Sequence, residues 1–417
     1  MAVGTICVVG LGYIGLPTAA VFASRKFKVF GLDVNKEVVD SINRGEVHIV
    51  EPDLDMVVNA AVMQGYLRAT SEAEPADAFL IAVPTPFKGD RHDPDLTYVE
   101  AASRKIAPAL KKGDLVILES TSPVGTTEQV AAWLAEERPD LTFPQQVGES
   151  SDIRVAHCPE RVLPGQILRE LVQNDRVIGG MTTRCAAAAA DLYKVFLKGE
   201  CVLTTARTAE LCKLTENSFR DVNIAFANEL SVICGALDIN VWELIRLANR
   251  HPRVNILQPG PGVGGHCIAV DPWFIVSSAP EESRLITTAR HVNDDKPRWV
   301  IDQVKASVAD YLRDNPDKNI RDVTVACYGL AFKADIDDLR ESPALNIARA
   351  LLAEHGGPVQ LVEPNIRRLP DWLAREKLVT VDHALKEADI HVLLVDHAEF
   401  KRVRPQRGII VDTRGTW

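Results

Sequence analysis

Short apolar runs alternate with helix-like stretches in the first part of the chain. The segments TICVVG, KVFGLD, AFLIAVP and LVILES are dense in Val, Ile, Leu and Phe. Strands that are buried on both faces of a parallel sheet have this composition, whereas half-exposed strands alternate apolar and polar residues. The alternation of such strands with helices predicts a doubly wound α/β sheet.

The middle of the chain has a different pattern. No Gly or Pro interrupts the segment from Ala206 to Cys234, which predicts one helix of about 30 residues. Further helices are predicted over NVWELIRLANR and from about Ser283 to Arg313. Between them lies HPRVNILQPGPGVGGHC, a loop rich in Gly and Pro that carries His, Arg and Cys. Because long loops in compact proteins are often functional, we expect this loop to serve the function.

The α/β alternation returns after the polar segment DNPDKNIRD. It comprises DVTVACYGL, a helix from Pro343 to His355, and then VQLVEP, DIHVLLVD and GIIVDT. The predicted fold class is therefore α/β, with two Rossmann-like doubly wound domains joined by a helical middle that contains a long central helix. The predicted domain boundaries are residues 1–200, 201–313 and 314–417.

Charge and composition exclude several classes of protein. The net charge of -10 and the pI of about 5.6 argue against a nucleic-acid partner. The start MAVGTICVVG lacks the basic residues and cleavage site of a secretory signal, and no apolar run reaches 18 residues. The eight cysteines include no CxxC pair and no zinc-like Cys/His spacing. The sequence thus predicts a cytoplasmic protein without membrane insertion or a metal site, in which most cysteines are buried thiols.

Gly10, Gly12 and Gly15 form a GxGxxG motif between a predicted strand and a predicted helix. In this context the first glycine permits a tight turn, the second lets a pyrophosphate approach the backbone, and the third lets helix and strand pack closely. Asp33 follows the next strand, where a carboxylate would accept hydrogen bonds from ribose hydroxyls and repel a 2′-phosphate. NAD is the favoured cofactor, although Lys36 nearby leaves NADP open.

Hydroxyl side chains follow two more of the predicted strands. Thr85 lies between prolines in VPTPF, and Thr121, Ser122 and Thr126 lie in ESTSPVGTT. Ligands of open α/β sheets bind at the carboxyl ends of the strands, so these hydroxyls are candidates for the cofactor crevice. Simple N-capping of the following helix explains each of them about equally well.

A second group of candidates points to covalent chemistry. Lys213, Asn217 and Arg220 are spaced i, i+4 and i+7 and so share one helix face, although a solvated face is the more common cause of such a stripe. Cys267 follows Gly264 and Gly265, and Asp271 comes four residues later. Glycines before a cysteine let its backbone approach a ligand, and a nearby lysine could activate its thiol.

Several of these motifs together resemble one known family. They are GLGYIGLPTA, LESTSPVGTT, CPERVLPG, ELCKLTENSFRDVNIAFANEL, GPGVGGHCIAVDP, GLAFKADIDDLRESPA and DTRGTW. In this order they resemble the UDP-glucose/GDP-mannose dehydrogenase family over essentially the whole chain. The stretches INRGEVHIVEPDLDMVV and NRHPRVNILQPGPGVGGHC resemble the branch that oxidises UDP-N-acetyl-D-mannosamine for surface polysaccharides such as enterobacterial common antigen.

The resemblance implies roles for individual residues. Cys267 matches the nucleophile and Lys213 the catalytic lysine, and Thr121 and Glu160 match residues that position water or a proton carrier. The implied catalytic set is Cys267, Lys213, Asn217, Asp271, Glu160 and Thr121. The implied cofactor contacts are Gly10, Gly12, Tyr13, Ile14, Gly15, Asp33, Thr85, Thr126 and Arg340. The implied substrate contacts are Arg161, Val162, Lys213, Asn217, Arg220, His251, Arg253, Gly264, Phe332 and Lys333. Arg414 stands where close relatives can carry lysine, so its role is open.

The implied reaction is a four-electron oxidation of a UDP-sugar at C6 with two NAD, through a thiohemiacetal and a thioester on Cys267. The resemblance also implies that residues 1–200 bind NAD, residues 201–313 form the core of a homodimer and carry the catalytic lysine and the cysteine loop, and residues 314–417 bind the UDP-sugar. Three alternatives stay open on the residues alone: UDP-glucose or another UDP-sugar as substrate, a single-step hydroxyacid dehydrogenase, and a catalytically inactive sugar-nucleotide sensor.

Overall fold

A computed structural model describes residues 3–89, 92–163, 165–265, 267–373 and 375–417. The chain forms two compact units. One comprises Met1–Glu216 with Trp273–Pro280, and the other comprises Asn217–Pro272 with Glu281–Trp417. The predicted division into three domains stays a prediction.

The first unit contains an eight-stranded sheet. The strands of this unit are β1 (Thr5–Val9), β2 (Lys28–Leu32), β3 (Leu67–Thr70), β4 (Ala78–Ile81), β5 (Phe87–Lys88), β6 (Asp93–Pro94), β7 (Leu115–Leu118), β8 (Arg154–His157), β9 (Arg176–Gly180) and β10 (Cys201–Thr205). Strands β5 and β6 form a separate short antiparallel pair, and the other eight form the sheet. The sheet order is β10-β9-β8-β7-β4-β1-β2-β3, and only β8 and β9 pair antiparallel. Strands β3-β2-β1-β4-β7-β8 therefore follow the Rossmann order, as expected for a dinucleotide-binding sheet.

Helices connect these strands. They are α1 (Gly15–Ser24), α2 (Lys36–Asn43), α3 (Leu54–Met63), α4 (Thr97–Ile106), α5 (Thr126–Glu137), α6 (Pro144–Val147), α7 (Ile167–Gln173) and α8 (Thr183–Tyr193), with 3₁₀ turns at Ala107–Ala109 and Gly148–Ser150. The five-alanine run lies in α8. Ile6 and Val8 face one apolar cluster, whereas Cys7 and Val9 face another. Because both faces are covered, successive strand residues are all apolar, which is the pattern from which the parallel sheet was predicted.

The predicted long helix is confirmed. Helix α9 (Ala206–Ala236) has 31 residues, and α10 (Val241–Ala248) follows it. Next come α11 (Asp271–Ser278) and α12 (Arg284–Asp314). Strand β10, which the predicted boundary at residue 200 assigns to the helical middle, pairs with β9 in the first sheet. The helical segment thus begins at Ala206. No helix among the described residues is long and apolar enough to cross a membrane.

The second unit contains a four-stranded parallel sheet with the order β12-β11-β13-β14. Its elements are β11 (Val325–Tyr328), α13 (Pro343–Glu354), β12 (Val359–Val362), α14 (Val381–Glu387), β13 (Ile390–Leu393) and β14 (Ile409–Asp412), with 3₁₀ turns at Ile320–Asp322, Asp371–Leu373 and Phe400–Arg402. Val325 and Cys327 pack into one cluster, and Ala326 and Tyr328 into another, so this sheet is also covered on both faces. The second α/β domain is therefore confirmed.

Candidate active site

The turn after β1 has the geometry that its glycines predict. Gly10 has a φ of +87°, and a methyl group there would lie 2.7 Å from the carbonyl oxygen of Ala82. A methyl group at Gly15 would lie 1.8 Å from the carbonyl oxygen of Gly10. At Gly12, by contrast, no atom lies within 4 Å of such a methyl group. Protein packing therefore requires Gly10 and Gly15, whereas Gly12 leaves open space beside the backbone, as a bound pyrophosphate needs.

Asp33 lies directly after β2 and is already bonded to the turn. One carboxylate oxygen accepts the backbone N–H of Leu11 at 2.9 Å, and the other accepts that of Asn35 at 2.8 Å. Each oxygen retains a second acceptor site, because a carboxylate can accept about four hydrogen bonds. The residue thus fixes the turn and can still accept from a ribose hydroxyl. Nearby Tyr13 is 39% exposed, and Ile14 precedes the first residue of α1.

Of the two alternatives for Thr126, the structure contradicts N-capping of α5. The N-cap of α5 is Gly125, and Thr126 is buried with its hydroxyl donating to the Pro123 carbonyl at 2.7 Å. The cap comes instead from Glu210 of α9, whose carboxylate accepts the N–H groups of Gly125 at 2.6 Å and Thr127 at 2.7 Å. An acid at a helix N-terminus satisfies free donors and complements the helix dipole. Thr126 thus does not cap α5, and its contact with the cofactor stays a prediction.

The hydroxyls at the other strand ends behave differently. Thr85 is partly buried, and its hydroxyl donates to the carbonyl oxygen of Thr121 at 2.5 Å. Ser122 is buried and donates to the carbonyl of Ser120 at 2.6 Å, so it does not cap α5 either. The structure thus ties the loops after β4 and β7 together through Thr85.

Glu160 lies in a buried charged cluster after β8. One of its oxygens contacts Arg176 at 3.1 Å, and Arg176 also lies 3.9 Å from Glu119. Tyr193 donates to Glu119 at 2.6 Å. Burial raises the pKa of the Glu119 carboxyl to about 7. Arg176 therefore holds the Glu160 carboxylate in place.

Arg161 and Val162 lie beside this cluster. The Arg161 guanidinium forms two bonds with the Glu216 carboxylate, at 2.6 and 3.1 Å. Val162 packs against the core of the first unit. The following loop is held by Glu51, which accepts the N–H groups of Gly165 at 2.8 Å and Ile167 at 2.6 Å. Glu51 belongs to the stretch INRGEVHIVEPDLDMVV, so one function of that motif is to shape the loop beside Arg161.

The polar stripe on α9 is only partly solvated. Lys213 is half-buried and Arg220 is exposed, whereas Asn217 is buried. The Asn217 amide donates to the Asp271 carboxylate at 2.5 Å, and Asp271 is 3% exposed. The structure thus brings together two of the residues that the sequence assigns to catalysis.

Cys267 is the exposed cysteine of the chain. Cys201 and Cys212 are half-buried, and the other five cysteines are buried. Burial raises the pKa of the Cys7 thiol to about 12, so such a thiol does not ionise near neutral pH. Cys267 lies one turn before α11, and its carbonyl oxygen accepts the Asp271 N–H at 2.8 Å. It is the cysteine most accessible to a substrate.

The glycines before Cys267 are required by packing. A methyl group at Gly264 would lie 2.4 Å from the Glu341 carbonyl oxygen and 3.0 Å from Phe332. One at Gly265, where φ is +85°, would lie 3.0 Å from the Phe332 ring. Both glycines thus pack closely against the segment between β11 and α13, and their approach to a ligand stays a prediction.

The remaining candidates lie on exposed segments. His251 and Arg253 follow α10 and are exposed, as is Lys333. Arg340 forms an ion pair with Asp338 at 2.6 Å. Arg414 pairs with Asp396 at 3.0 Å. Among the described residues, no group of His, Cys, Asp and Glu side chains is arranged to hold a metal ion.

The sequence analysis did not identify the residues that hold the loops and helix ends of this site in place. Glu210, Glu51 and Arg176 act through hydrogen bonds to distant segments, which spacing along the chain does not reveal. Asp221 and Asn228 could have been found, because they continue the stripe of Asn217 along α9 at i+4 and i+11.

Family models match all three parts of the chain. Residues 4–197 match the NAD binding domain of the UDP-glucose/GDP-mannose dehydrogenase family, residues 207–295 its central domain, and residues 326–417 its UDP binding domain. The chain belongs to this family, and its cofactor is NAD.

Individual relatives are similar over the full length. The chain is 66% identical over 423 residues to UDP-N-acetyl-D-mannosamine dehydrogenase of Yersinia pestis, with 100% of both chains covered. It is 64% identical to an NDP-N-acetyl-D-galactosaminuronic acid dehydrogenase of Ralstonia solanacearum, covering 99% of this chain and 96% of the relative. The solved UDP-D-ManNAc dehydrogenase of Pyrococcus horikoshii superposes with a TM-score of 0.87 at 40% identity, covering 99% of this chain and 96% of that one.

Proposed function

We propose that the chain oxidises UDP-N-acetyl-D-mannosamine at C6 to UDP-N-acetyl-D-mannosaminuronate with two NAD. The observation that carries the proposal is the exposed thiol of Cys267. It lies four residues before Asp271, whose carboxylate is bonded to Asn217 in a buried pair. A single-step dehydrogenase needs no such thiol. The choice of sugar is supported by full-length identity of 66% to an enzyme of that name.

The turn after β1 fits NAD. Gly12 leaves open space beside the backbone just before α1, which begins at Gly15, and the N-terminus of a helix favours an anion. Asp33 has acceptor capacity left for ribose, and an acid here disfavours a 2′-phosphate. When bound, NAD supplies the hydride acceptor for both oxidations at C6. Tyr13, Ile14, Thr85, Thr126 and Arg340 complete the proposed cofactor contacts.

Cys267 keeps the aldehyde on the enzyme. After the first oxidation its sulfur bonds to the C6 carbonyl carbon, and the carbonyl oxygen takes up a proton to give a thiohemiacetal. Removal of a second hydride and of the hydroxyl proton leaves a thioester. Water then adds to this carbon, the C–S bond breaks, and the products are the carboxylate and the free thiol.

The neighbouring polar groups move protons and stabilise charge. Lys213 and Asn217 stabilise the oxyanion that forms on C6 when sulfur or water adds. Asp271 holds the Asn217 amide and, with Glu160, takes the proton from the attacking water. Arg176 holds Glu160 in place for this step, and Thr121 positions the water.

The proposed substrate contacts lie on helix α9 and on several loops. Arg161 and Arg220 carry the positive charge that a diphosphate requires. The full proposed set is Arg161, Val162, Lys213, Asn217, Arg220, His251, Arg253, Gly264, Phe332 and Lys333.

The domain roles are part of the proposal. Residues 1–200 would bind NAD, residues 201–313 would form the central domain, and residues 314–417 would bind the UDP-sugar. The family-model matches over residues 4–197, 207–295 and 326–417 support this division. We further propose that the enzyme works in the cytoplasm and that its uronate product enters a surface polysaccharide.

Helix α9 supports a homodimer. Phe219, Phe226 and Ile233 are 69%, 51% and 46% exposed, and their spacing of seven residues places them on one helix face. Large exposed apolar side chains in a row are typical of an interface. Phe226→Glu should convert the dimer to a monomer in analytical ultracentrifugation. A dimer that persists at wild-type strength would contradict this interface.

The proposed function is tested by counting the NADH molecules that form per UDP-sugar consumed. The purified protein is mixed with excess NAD and a limiting amount of UDP-N-acetyl-D-mannosamine, with UDP-glucose and UDP-N-acetyl-D-galactosamine in parallel. Two NADH per UDP-N-acetyl-D-mannosamine, and little from the others, is the expected result. One NADH per sugar would refute the two-step reaction. Two NADH from the galactosamine sugar, for which the Ralstonia relative is named, would replace only the substrate.

A further inference from the structure

Side chains from other elements hold the cysteine loop, defined as residues 254–265 and 267. Asn249 makes two bonds to the backbone of Ile256, at 2.7 and 2.9 Å. Asn228 of α9 accepts the N–H of Gly260 at 2.9 Å. Since this stretch has no helix or strand, its position depends on such contacts.

The contact at Gly260 is the end of a buried chain of hydrogen bonds. The Asn228 amide nitrogen donates to the side-chain oxygen of Asn293 at 2.8 Å. The Asn293 nitrogen in turn donates to the Asp221 carboxylate at 2.8 Å and to the Asp221 carbonyl at 3.1 Å. Arg290 donates to the same carboxylate at 2.6 Å. All four side chains are at most 1% exposed.

Only one direction of donation satisfies this chain. A backbone N–H can only donate, so Asn228 must turn its oxygen to Gly260 and its nitrogen to Asn293. Asp221 offers only acceptors, so Asn293 must turn its nitrogen to Asp221. The orientation of both amides is thus fixed by the two ends of the chain. A buried network that is fully directional specifies one arrangement of the segments it joins.

The network costs free energy to bury, which argues for a role beyond stability. Removing a carboxylate and a guanidinium from water is expensive, and an apolar replacement is often as stable. Burial raises the pKa of Asp221 to about 6 despite the neighbouring Arg290. What this charge pair secures is the direction of the amides, and through them the place of Gly260.

We propose that Asn228 is a positioning residue for the nucleophile Cys267, with Asn293, Asp221 and Arg290 as its support. The inference rests on the proposed function of Cys267. Gly260 precedes Cys267 by seven residues, and Gly262, Gly264 and Gly265 lie between them in close contact with neighbouring side chains. A shift at Gly260 therefore displaces the packed residues up to Gly265, two positions before Cys267.

The two half-reactions depend differently on this position. Formation of the aldehyde does not use the thiol, whereas its capture and second oxidation do. A displacement of about 1 Å at a reacting group can cost up to 100-fold in rate. In Asn228→Ala we expect the first NADH to form within about threefold of the wild-type rate and the second to form about 10- to 100-fold more slowly. The released aldehyde is measured by trapping with hydroxylamine.

The matched control is Tyr311→Phe. It removes a partly buried hydrogen bond from Tyr311 of α12 to Asp389, at 2.5 Å. Asp389 belongs to the same unit and directly precedes β13. This variant should slow neither half-reaction. If Asn228→Ala slows both half-reactions by the same factor, or slows neither, the positioning role is refuted. Wild-type enzyme that yields one NADH per sugar would instead refute the proposed function itself.

Asn228→Asp gives a second readout if the alanine variant fails to fold. A carboxylate still accepts from Gly260, but it can donate to Asn293 only when protonated. Burial favours the protonated carboxyl. The second half-reaction of this variant, relative to wild type, should therefore recover as pH falls from about 8 to about 6. A ratio that does not change with pH would overturn the proposal.

Discussion

The turn after the first strand of each large sheet has the same backbone geometry. Gly10 follows β1 with a φ of +87°, and Gly329 follows β11 with a φ of +90°. Each glycine donates its N–H to the last residue of the neighbouring strand at 2.8 Å, Gly10 to Leu32 and Gly329 to Val362. An acidic residue follows that neighbouring strand in both cases. The difference between the two turns lies in how this acid is used.

The acid of the first turn is half-buried, and that of the second is fully engaged. Asp33 accepts one backbone N–H on each oxygen. Glu363 is 4% exposed, and one of its oxygens accepts from Leu330 at 2.7 Å, Ala331 at 3.1 Å and His397 at 3.0 Å. The first turn therefore keeps acceptors for a ribose, whereas the second uses its acid to hold its own backbone.

The helices that follow the two turns begin at different distances from them. Helix α1 begins at Gly15, five residues after Gly10, whereas α13 begins only at Pro343. The residues before Pro343 include Phe332, which packs against the cysteine loop. The first turn thus has open space for the proposed NAD contacts, and the second is followed by residues that pack against the loop of Cys267, the proposed nucleophile.

The largest effects should come from the feature that the turns share. Gly10→Ala and Gly329→Ala each force a side chain into a left-handed conformation and into atoms 2.7 and 2.4 Å away. We expect each to lower the free energy of unfolding by about 3 kcal/mol. Urea denaturation monitored by circular dichroism measures this. A loss below about 0.5 kcal/mol at either site would mean that the shared design is not required.

The acids should separate the turns. Glu363→Gln removes a buried charge that accepts several hydrogen bonds and should cost about 2 kcal/mol of stability. Asp33→Asn should cost about half as much and should raise the KM for NAD about tenfold, because it weakens the bond to ribose. Steady-state kinetics and urea denaturation of both variants distinguish these results. An unchanged NAD affinity in Asp33→Asn would leave the two acids with the same structural role.

A substitution at Gly12 tests whether the first turn binds the pyrophosphate of NAD. Its hypothetical methyl group meets no protein atom, so Gly12→Ala should change stability by less than about 0.5 kcal/mol. It should nevertheless weaken NAD binding about tenfold, since the methyl group would occupy the space of the pyrophosphate. Calorimetric titration with NAD tests this, with Gly4→Ala as an exposed control, since a methyl group there would lie 3.6 Å from the nearest atom. Full affinity would contradict the assigned position of the pyrophosphate.

The smallest effect is a difference in pH dependence between two buried carboxyl groups. The pKa of Glu363 is lowered, with His397 and backbone N–H groups outweighing burial. Its contribution to stability is therefore present above the unfolded-state pKa near 4.3 and lost as pH falls below it. The pKa of Glu119 is raised to about 7 by burial, so its contribution is present below about pH 4.3 and lost as pH rises through about 7. Glu119→Gln should flatten the alkaline limb of stability and Glu363→Gln the acid limb. The reverse assignment of limbs would refute these directions.

Local signals in the sequence predict most of the fold. The apolar runs predict β1, β2, β4, β7 and the strands of the second sheet, and the absence of Gly and Pro predicts α9. Strands β3, β8, β9 and β10 were missed, because Leu67–Thr70 and Arg154–His157 contain too few apolar residues to stand out. The sequence predicts the chemical groups of the candidate site. It does not predict the residues that hold these groups in place, because the bonds of Glu210, Arg176 and Asn228 join segments that are far apart in sequence.

The most direct test of the account is to find the covalent intermediate on Cys267. The enzyme is mixed with UDP-N-acetyl-D-mannosamine and NAD, quenched in acid within one turnover, digested and analysed by mass spectrometry. Cys267→Ala and Cys212→Ala serve as paired controls, since Cys212 is a half-buried thiol of the same chain. The account predicts a sugar adduct on the peptide that contains Cys267 in wild type and in Cys212→Ala, and no carboxylate from Cys267→Ala. Carboxylate formed at the full rate by Cys267→Ala would contradict it.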